Sequence, residues 1–398
     1  MDKRKTFFLY AREIPNFLSI FIYPMFFVIP SVLLIEISSS LGAVPERFNI
    51  IFTVYAIGNA IGLIASIFLN RKFKKIDIVI YSYVFLIFFS LLFIFFKYIF
   101  IFFISFFAIG LFSGIIWLQA SRYLLEDSIK NKDKLMNFAL SFHPLGAFLS
   151  PYIAYLVINN NLGWEVSFYV IIFLMFITLL LYIFIIKLNS RESISEKKEK
   201  GGLDLNGIFI SRTRNIFFIL TIIIVLTYFI SEGVFITWSP TYLRIYRFLD
   251  IRQASTYFSF FYIGMGMGRL LVSIFSGRFK PDYLLIMLSF VSIAGLSMVS
   301  FSTKNALIIT GIIITGIGFS GISPLLFSTG GTIYEKGRGT LAAFMFITAN
   351  MGIALVPLSI RIAVNMGYRN SLMISVLFII FTLLIILLRS NFKRIKKI

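Results

Sequence analysis

The 398-residue chain is 59% hydrophobic and carries 37 Lys and Arg against 17 Asp and Glu, a net charge of +20, with one histidine and no cysteine. At a mean hydropathy of +0.93 no water-facing domain can be drawn anywhere along it. Without cysteine there is no disulfide, thiolate or sulfur-ligated metal site, and one histidine cannot build a His-based cluster, so neither metal nor cofactor is expected.

Apolar runs near the ~20 residues that a helix needs to cross roughly 30 Å of hydrocarbon fall at 15–37, 48–69, 78–96, 98–120, 136–158, 165–187, 215–238, 253–276, 283–302, 305–328, 340–364 and 371–388. They predict an all-α membrane protein with twelve transmembrane helices. With the N-terminus inside, 28 Lys and Arg lie on the inner side and seven on the outer, while Arg269 and Arg361 fall within spans. By the positive-inside rule that split predicts cytoplasmic termini in a plasma membrane. The basic excess is then topogenic and favours anionic lipid headgroups; no nucleic-acid partner is expected. The first residues, with Lys3, Arg4, Lys5 and Arg12, resemble a signal-peptide n-region, but no small-residue cleavage site follows, so the first span is expected to be retained.

Taken in chain order, the first span offers Tyr23 as a stacking aromatic and Glu36 near its outer end, where the carboxyl can reach water. Span two places Asn59 near midplane, where an amide both donates and accepts. Span five holds His143 just before Pro144, whose ring is expected to kink the helix and free a carbonyl. Glu232 lies about 17 residues into span seven, ~26 Å from the inner surface at 1.5 Å per residue, with Trp238 beyond it. A charge in hydrocarbon costs at least ~2.5–3.5 kcal/mol on insertion scales, so such a residue needs a reason to exist. Because burial disfavours the ionised form of a carboxyl, Glu232 is the leading candidate for a coupling proton, with Glu36 and His143 behind it. Span eight carries Tyr262 and Arg269, the latter ~10 Å deep and free to snorkel, to tie down the next loop or to bind an anion. Arg361 reads as a snorkelling side chain, and Asn350 on span eleven is a second midplane amide. Tyr23, Asn59, His143, Trp238, Tyr262, Arg269 and Asn350 are the candidate substrate ligands.

The chain also repeats itself. Gly58 and Gly62 recur as Gly264 and Gly268 at an offset of 206, as do Gly146 and Pro151 in Gly352 and Pro357, and Lys72-Phe73-Lys74 in Arg278-Phe279-Lys280. Phe112-Ser113-Gly114-Ile115 returns as Phe319-Ser320-Gly321-Ile322 at 207. Two pseudo-symmetric six-helix bundles, 1–187 and 214–398, are expected, joined by a charged cytoplasmic linker at 188–213. Duplicated halves with a midplane site between them are the physical basis of alternating access.

These features resemble the major facilitator superfamily and, within it, the fucose-permease-like sugar:proton symporters. Tyr228, Glu232 and Trp238 in YFISEGVFITWSPTYL keep that branch's tyrosine, glutamate, tryptophan spacing, FYIGMGMGRLL resembles its Gly-Arg segment at Gly268-Arg269, and Asn137 with LGAFLSP (145–151) resembles its span-five stretch. The departures are Leu140 where the branch has a histidine, Ile116 near its span-four acid, and Asn70 where the superfamily's loop signature has an aspartate. The resemblance implies a monomeric secondary transporter, not an enzyme, whose partners are protons and a small polar solute, a sugar first. An organic-anion or monocarboxylate symporter, with Arg269 on the carboxylate, and a drug-efflux antiporter are the alternatives.

Overall fold

A computed structural model describes residues 13–126, 139, 141–189, 212–276, 278–334 and 338–396, and almost all of these are helical. The chain divides into two compact units, Met1–Gly42 with Val54–Gly201, and Ala43–Thr53 with Gly202–Ile398. The helices in order are α1 (Ile14–Ile22), α2 (Met25–Val32), α3 (Leu34–Ser40), α4 (Pro45–Phe48), α5 (Ile51–Leu69), α6 (Lys75–Phe95), α7 (Ile99–Glu126), α8 (Phe142–Asn159) and α9 (Glu165–Asn189). They continue as α10 (Arg212–Ile245), α11 (Ile251–Phe275), α12 (Pro281–Phe301), α13 (Asn305–Phe319), α14 (Ile322–Ile333), α15 (Arg338–Asn365), a 3-10 turn at Tyr368–Ser371, and α16 (Met373–Lys396).

Eleven segments of the described residues are long and apolar enough to cross a membrane. The twelfth expected span, 136–158, corresponds to α8, an 18-residue helix diluted by His143, Pro144 and Pro151; positions 136–138 and 140 of that span, with Asn137 and Leu140, lie outside the described residues, as do 190–211 of the linker. Large apolar side chains face outward along these helices, Phe100 at 71% and Leu270 at 69% exposure among them. Such a surface is stable against lipid and untenable in water.

Two expected single helices are broken. The first span divides at Tyr23-Pro24 and again at Leu33, so that Glu36 falls on α3, beyond the crossing segment Ile14–Val32. Pro24 has no N–H to continue the ladder. The tenth span divides at Ser320-Gly321, between α13 and α14. Conversely, Pro144 produces no kink, because it falls in the first turn of α8, where an amide would have no helical partner anyway.

The sequence repeat has a physical meaning inside each unit. In the first, a Cβ added to Gly58 would overlap the Phe107 carbonyl oxygen and one on Gly110 the Tyr55 carbonyl oxygen, so α5 and α7 touch backbone to backbone. In the second, Gly264 meets Ile313 and Gly316 meets Phe261 in the same way, bringing α11 onto α13. Every one of these partners is displaced by 206. The contacts therefore place Gly316 opposite Gly110 and Ser320 opposite Gly114, one residue out of register with the 207 match read from Phe112–Ile115. Glycine is what permits this approach. In the second unit Thr53 Oγ1 also donates to the Ala354 carbonyl (2.6 Å).

Candidate functional site

Each unit gathers its own set of the candidate residues. In the second, α10 is a 34-residue helix on which Tyr228, Glu232 and Phe235 follow at i, i+4 and i+7, a spacing that aligns them on one face. Phe235 packs against Phe261 (4.9 Å between ring centres) and more loosely against Phe258 and Phe319 (6.5 Å each). This aromatic seam seats α10 on α11 and α13. Tyr228 is fully buried; its hydroxyl donates to the Phe319 carbonyl (2.9 Å), and its side chain lies within electrostatic range of the Glu232 carboxyl.

From α11, Tyr262 and Arg269 bring a phenol and a guanidinium into electrostatic range of Glu232. They are seven residues apart and so lie on one helix face, opposite Gly264 and Gly268, which press on α13. No direct ion pair joins Arg269 to Glu232 among the described residues, and both side chains are half-buried. A Cβ on Gly266, between Tyr262 and Arg269, would meet no atom within 4 Å. Position 266 is therefore unpacked. Among the described residues the Arg269 guanidinium makes one long contact, to Met265 Sδ (3.9 Å), and Arg269 Nε, the Tyr262 hydroxyl and Trp238 Nε1 are buried donors without an acceptor. Chemically the group can hold a proton on Glu232, and it has donors to spare for an oxygen-bearing solute.

The first unit assembles a neutral group. The Tyr23 hydroxyl donates to Asn59 Oδ1 (3.4 Å), and Asn59 Nδ2 donates to the Gly110 carbonyl (3.3 Å). The Tyr23 ring lies 4.6 Å from Trp117 and 6.0 Å from His143, and Trp117 stands edge-on to His143 at 5.7 Å. Beside them Ser19, Tyr23, Tyr83 and Ser113 line a small, partly open cavity. Tyr83 donates to Ser19 Oγ (2.8 Å), and Tyr182 to Asn16 Oδ1 (2.8 Å). Trp117, Ser19 and Tyr83 were not singled out in the sequence; with 49 Phe and 19 Tyr, only the rarity of tryptophan marked one of them. Asn350 donates within its own helix to Phe346 (3.0 Å) and has no hydrogen bond to either group among the described residues. Glu36 sits half-buried on α3.

The sequence profile of the Major Facilitator Superfamily matches residues 17–357. The chain belongs to this superfamily. It is 25% identical over 269 residues to a protein described as a TsgA homolog from Buchnera aphidicola subsp. Baizongia pistaciae (strain Bp), a match covering 65% of this chain and 64% of that relative's length. The fold resembles a bacterial homolog of the human lysosomal transporter Spinster (TM-score 0.74, 11% identity, 98% of each chain). It also resembles the nucleoside transporter NupG (TM-score 0.71, 12% identity, 96% of this chain and 98% of that one). A member of this superfamily with this all-helical, membrane-crossing fold is a transporter of the secondary kind. The loop signature following α5 in this member has a neutral substitute: Gln119 Nε2 donates both to Ser66 Oγ (2.8 Å) and to Asn70 Oδ1 (2.9 Å), so the asparagine ties α5 to α7 without a charge.

Proposed function

We propose that this superfamily member is a proton-coupled symporter of a small hydroxylated solute, a sugar first, working by alternating access as a monomer in the plasma membrane with both termini cytoplasmic. The observation that carries the reading is Glu232: a half-buried carboxyl beside Tyr228, facing Arg269 without pairing to it. A carboxylate locked in an ion pair resists protonation; one left unpaired in a desolvated setting exchanges its proton more readily. Glu232 takes a proton from outside, its neutral form permits the loaded halves 1–187 and 214–398, joined by the 188–213 linker, to rock, and loss of the proton inside accompanies solute release. Tyr23, Asn59 and His143 in the first unit, and Trp238, Tyr262 and Arg269 in the second, are the stacking and hydrogen-bonding residues that we assign to a sugar ring, with Glu36 and Asn350 as outlying candidates.

Counterflow in proteoliposomes tests the solute, with a panel of sugars, nucleosides and carboxylates; nucleosides belong in it because NupG shares the fold. Exchange of carboxylates alone would move the reading to an anion symporter built on Arg269. Coupling is tested by Glu232→Gln, which imitates the protonated carboxyl at nearly equal volume. Exchange should persist and uphill uptake driven by a pH gradient should vanish. Accumulation against a gradient by this variant would refute the role of Glu232.

A further inference from the structure

The cavity between α1, α6 and α7 is polar in a way that packing does not require. Ser19, Tyr23, Tyr83 and Ser113 bring four hydroxyls to it, the rest of its lining is apolar, and it has room for about one water-sized group. Ser19, Tyr83 and Ser113 are buried, at 3%, 1% and 4% exposure. Cavities that proteins leave unused are apolar, whereas a gap ringed by hydroxyls is built for a hydrogen-bonding occupant. The protons of these hydroxyls say which kind. A hydroxyl has one proton to donate and two lone pairs. The Tyr83 proton goes to Ser19 Oγ (2.8 Å), the Ser19 proton to the Pro15 carbonyl (2.7 Å) and the Tyr23 proton to Asn59 Oδ1 (3.4 Å). Asn59 keeps Oδ1 toward Tyr23 because its Nδ2 is engaged on the Gly110 carbonyl (3.3 Å). Three of the four hydroxyls therefore offer lone pairs and no proton, so an occupant held by them has to donate. It is also uncharged, since no acidic or basic side chain is among the lining residues.

We propose that this pocket is a subsite for one hydroxyl group of the transported solute, recognised as a hydrogen-bond donor, with Tyr83 and Ser113 as specificity-determining residues. The inference rests on the reading of this chain as a transporter of a hydroxylated solute and names how one substituent of that solute is chosen. Tyr23 joins the two features: it lines the pocket, and its ring lies 4.6 Å from Trp117 in the group assigned to the solute. A ring held against these aromatic faces turns one substituent into the gap. A hydroxyl there fits the space and gives its proton to the Tyr83 oxygen. Fluorine matches a hydroxyl closely in size but has no proton to give, and hydrogen leaves the pocket's lone pairs unmet. Deoxy and deoxyfluoro derivatives should therefore fail together, at one position of the solute.

The test is counterflow in proteoliposomes with D-glucose, D-galactose, D-xylose and uridine as probes, followed by competition from the monodeoxy and monodeoxyfluoro derivatives of each probe that exchanges. At one hydroxyl position both derivatives should compete about tenfold less well than the parent, the upper end of what one neutral hydrogen bond contributes. Tyr83→Phe keeps the ring and removes the accepting oxygen. It should bring the parent down to the level of its deoxy derivative and so erase the difference at that position, leaving the other positions as they were. Ser113→Ala reaches the same pocket from α7 and should narrow the same difference, which keeps the test open should Tyr83→Phe fail to fold. Exchange of none of the four probes would overturn the proposed solute class and the subsite with it. Where a probe does exchange, a fluoro derivative that competes as well as its parent at every position would mean that the pocket holds only water, and the subsite alone would fall. A difference that survives in both variants would refute it equally.

Discussion

Three glycines spaced by two on α11 provide an internally controlled test of how this transporter is packed. A Cβ on Gly268 would sit 2.7 Å from the Ile317 carbonyl oxygen and 2.8 Å from Ile317 Cα, and would also overlap Ser320 Oγ, whereas one on Gly266 meets nothing within 4 Å. Both Ala substitutions gain the same helix propensity, about 1 kcal/mol over Gly, so that contribution cancels in their difference. What remains is overpacking. The 2.7 Å approach is about 0.7 Å inside ordinary contact and the opposing atoms are backbone, so a helix rather than a side-chain tip has to move, at a cost of about 1–3 kcal/mol. With roughly 2–4 °C per kcal/mol for a unit of this size, Gly268→Ala should melt about 4–8 °C below Gly266→Ala at the middle of that range. The readout is the midpoint for loss of the monodisperse peak on size exclusion after heating in detergent. Gly62→Ala, at the equivalent place on α5, should behave like Gly268→Ala. Equal midpoints for Gly266→Ala and Gly268→Ala would refute backbone contact as the reason for the repeated glycines.

Two further outcomes are expected. Arg389 is fully buried and donates to Asp282 Oδ1 (3.0 Å) and Thr221 Oγ1 (3.3 Å), with its guanidinium 5.2 Å over the Phe217 ring; removing one member of a buried pair costs about 3–5 kcal/mol, so Arg389→Met should lower the same melting midpoint far more than the combined Arg389→Met, Asp282→Leu variant, and additive losses would refute the pairing. A single cysteine at Ser390 should react with an impermeant thiol reagent only from the cytoplasmic face in right-side-out and inverted vesicles, and labelling from outside would overturn the proposed topology.

Length, hydropathy and the spacing of glycines were enough to read the helical fold and its membrane crossings, because lipid imposes one requirement on every stretch of backbone: its hydrogen bonds must close within the segment. The breaks were legible in part, since Pro24 in the first span and Gly321 with Pro324 in the tenth are helix-breaking residues inside apolar runs. What the run 305–328 does not show is the group that takes the freed Phe319 carbonyl, the Tyr228 hydroxyl, which is 91 residues away. Nothing local distinguishes Arg389 from Lys393 or Arg394; its partner Asp282 is 107 positions distant. Pro144 looks like a kink in the sequence because Ser141, the residue before its helix, makes no side-chain cap that would mark the start. The neutral group around Tyr23 was half legible: Asn59 and His143 stand out as polar residues in apolar runs, while Trp117 and Tyr83 were masked by an aromatic content of 18%.

The 206-residue offset also separates what the frame needs from what it merely tolerates. Moved back by that offset, Glu232, Arg269, Tyr262 and Tyr228 fall on Phe26, Leu63, Ala56 and Ile22, all apolar and all buried in the first unit. The same helix contacts are therefore made in one copy without any ionisable group at these positions. Moved forward, Tyr23, Asn59 and His143 fall on Phe229, Met265 and Ala349, so the neutral polar group is likewise absent from the second copy. A scaffold that packs in both versions does not require either set for folding, and a carboxyl and a guanidinium in an apolar bundle carry an insertion cost of several kcal/mol that packing alone would not sustain. Their confinement to one unit is in keeping with the roles proposed above, in which Glu232, with Arg269 setting the local field, handles the proton, while the uncharged amide, imidazole and aromatic faces of the first unit, with Trp238 and Tyr262 of the second, recognise the solute.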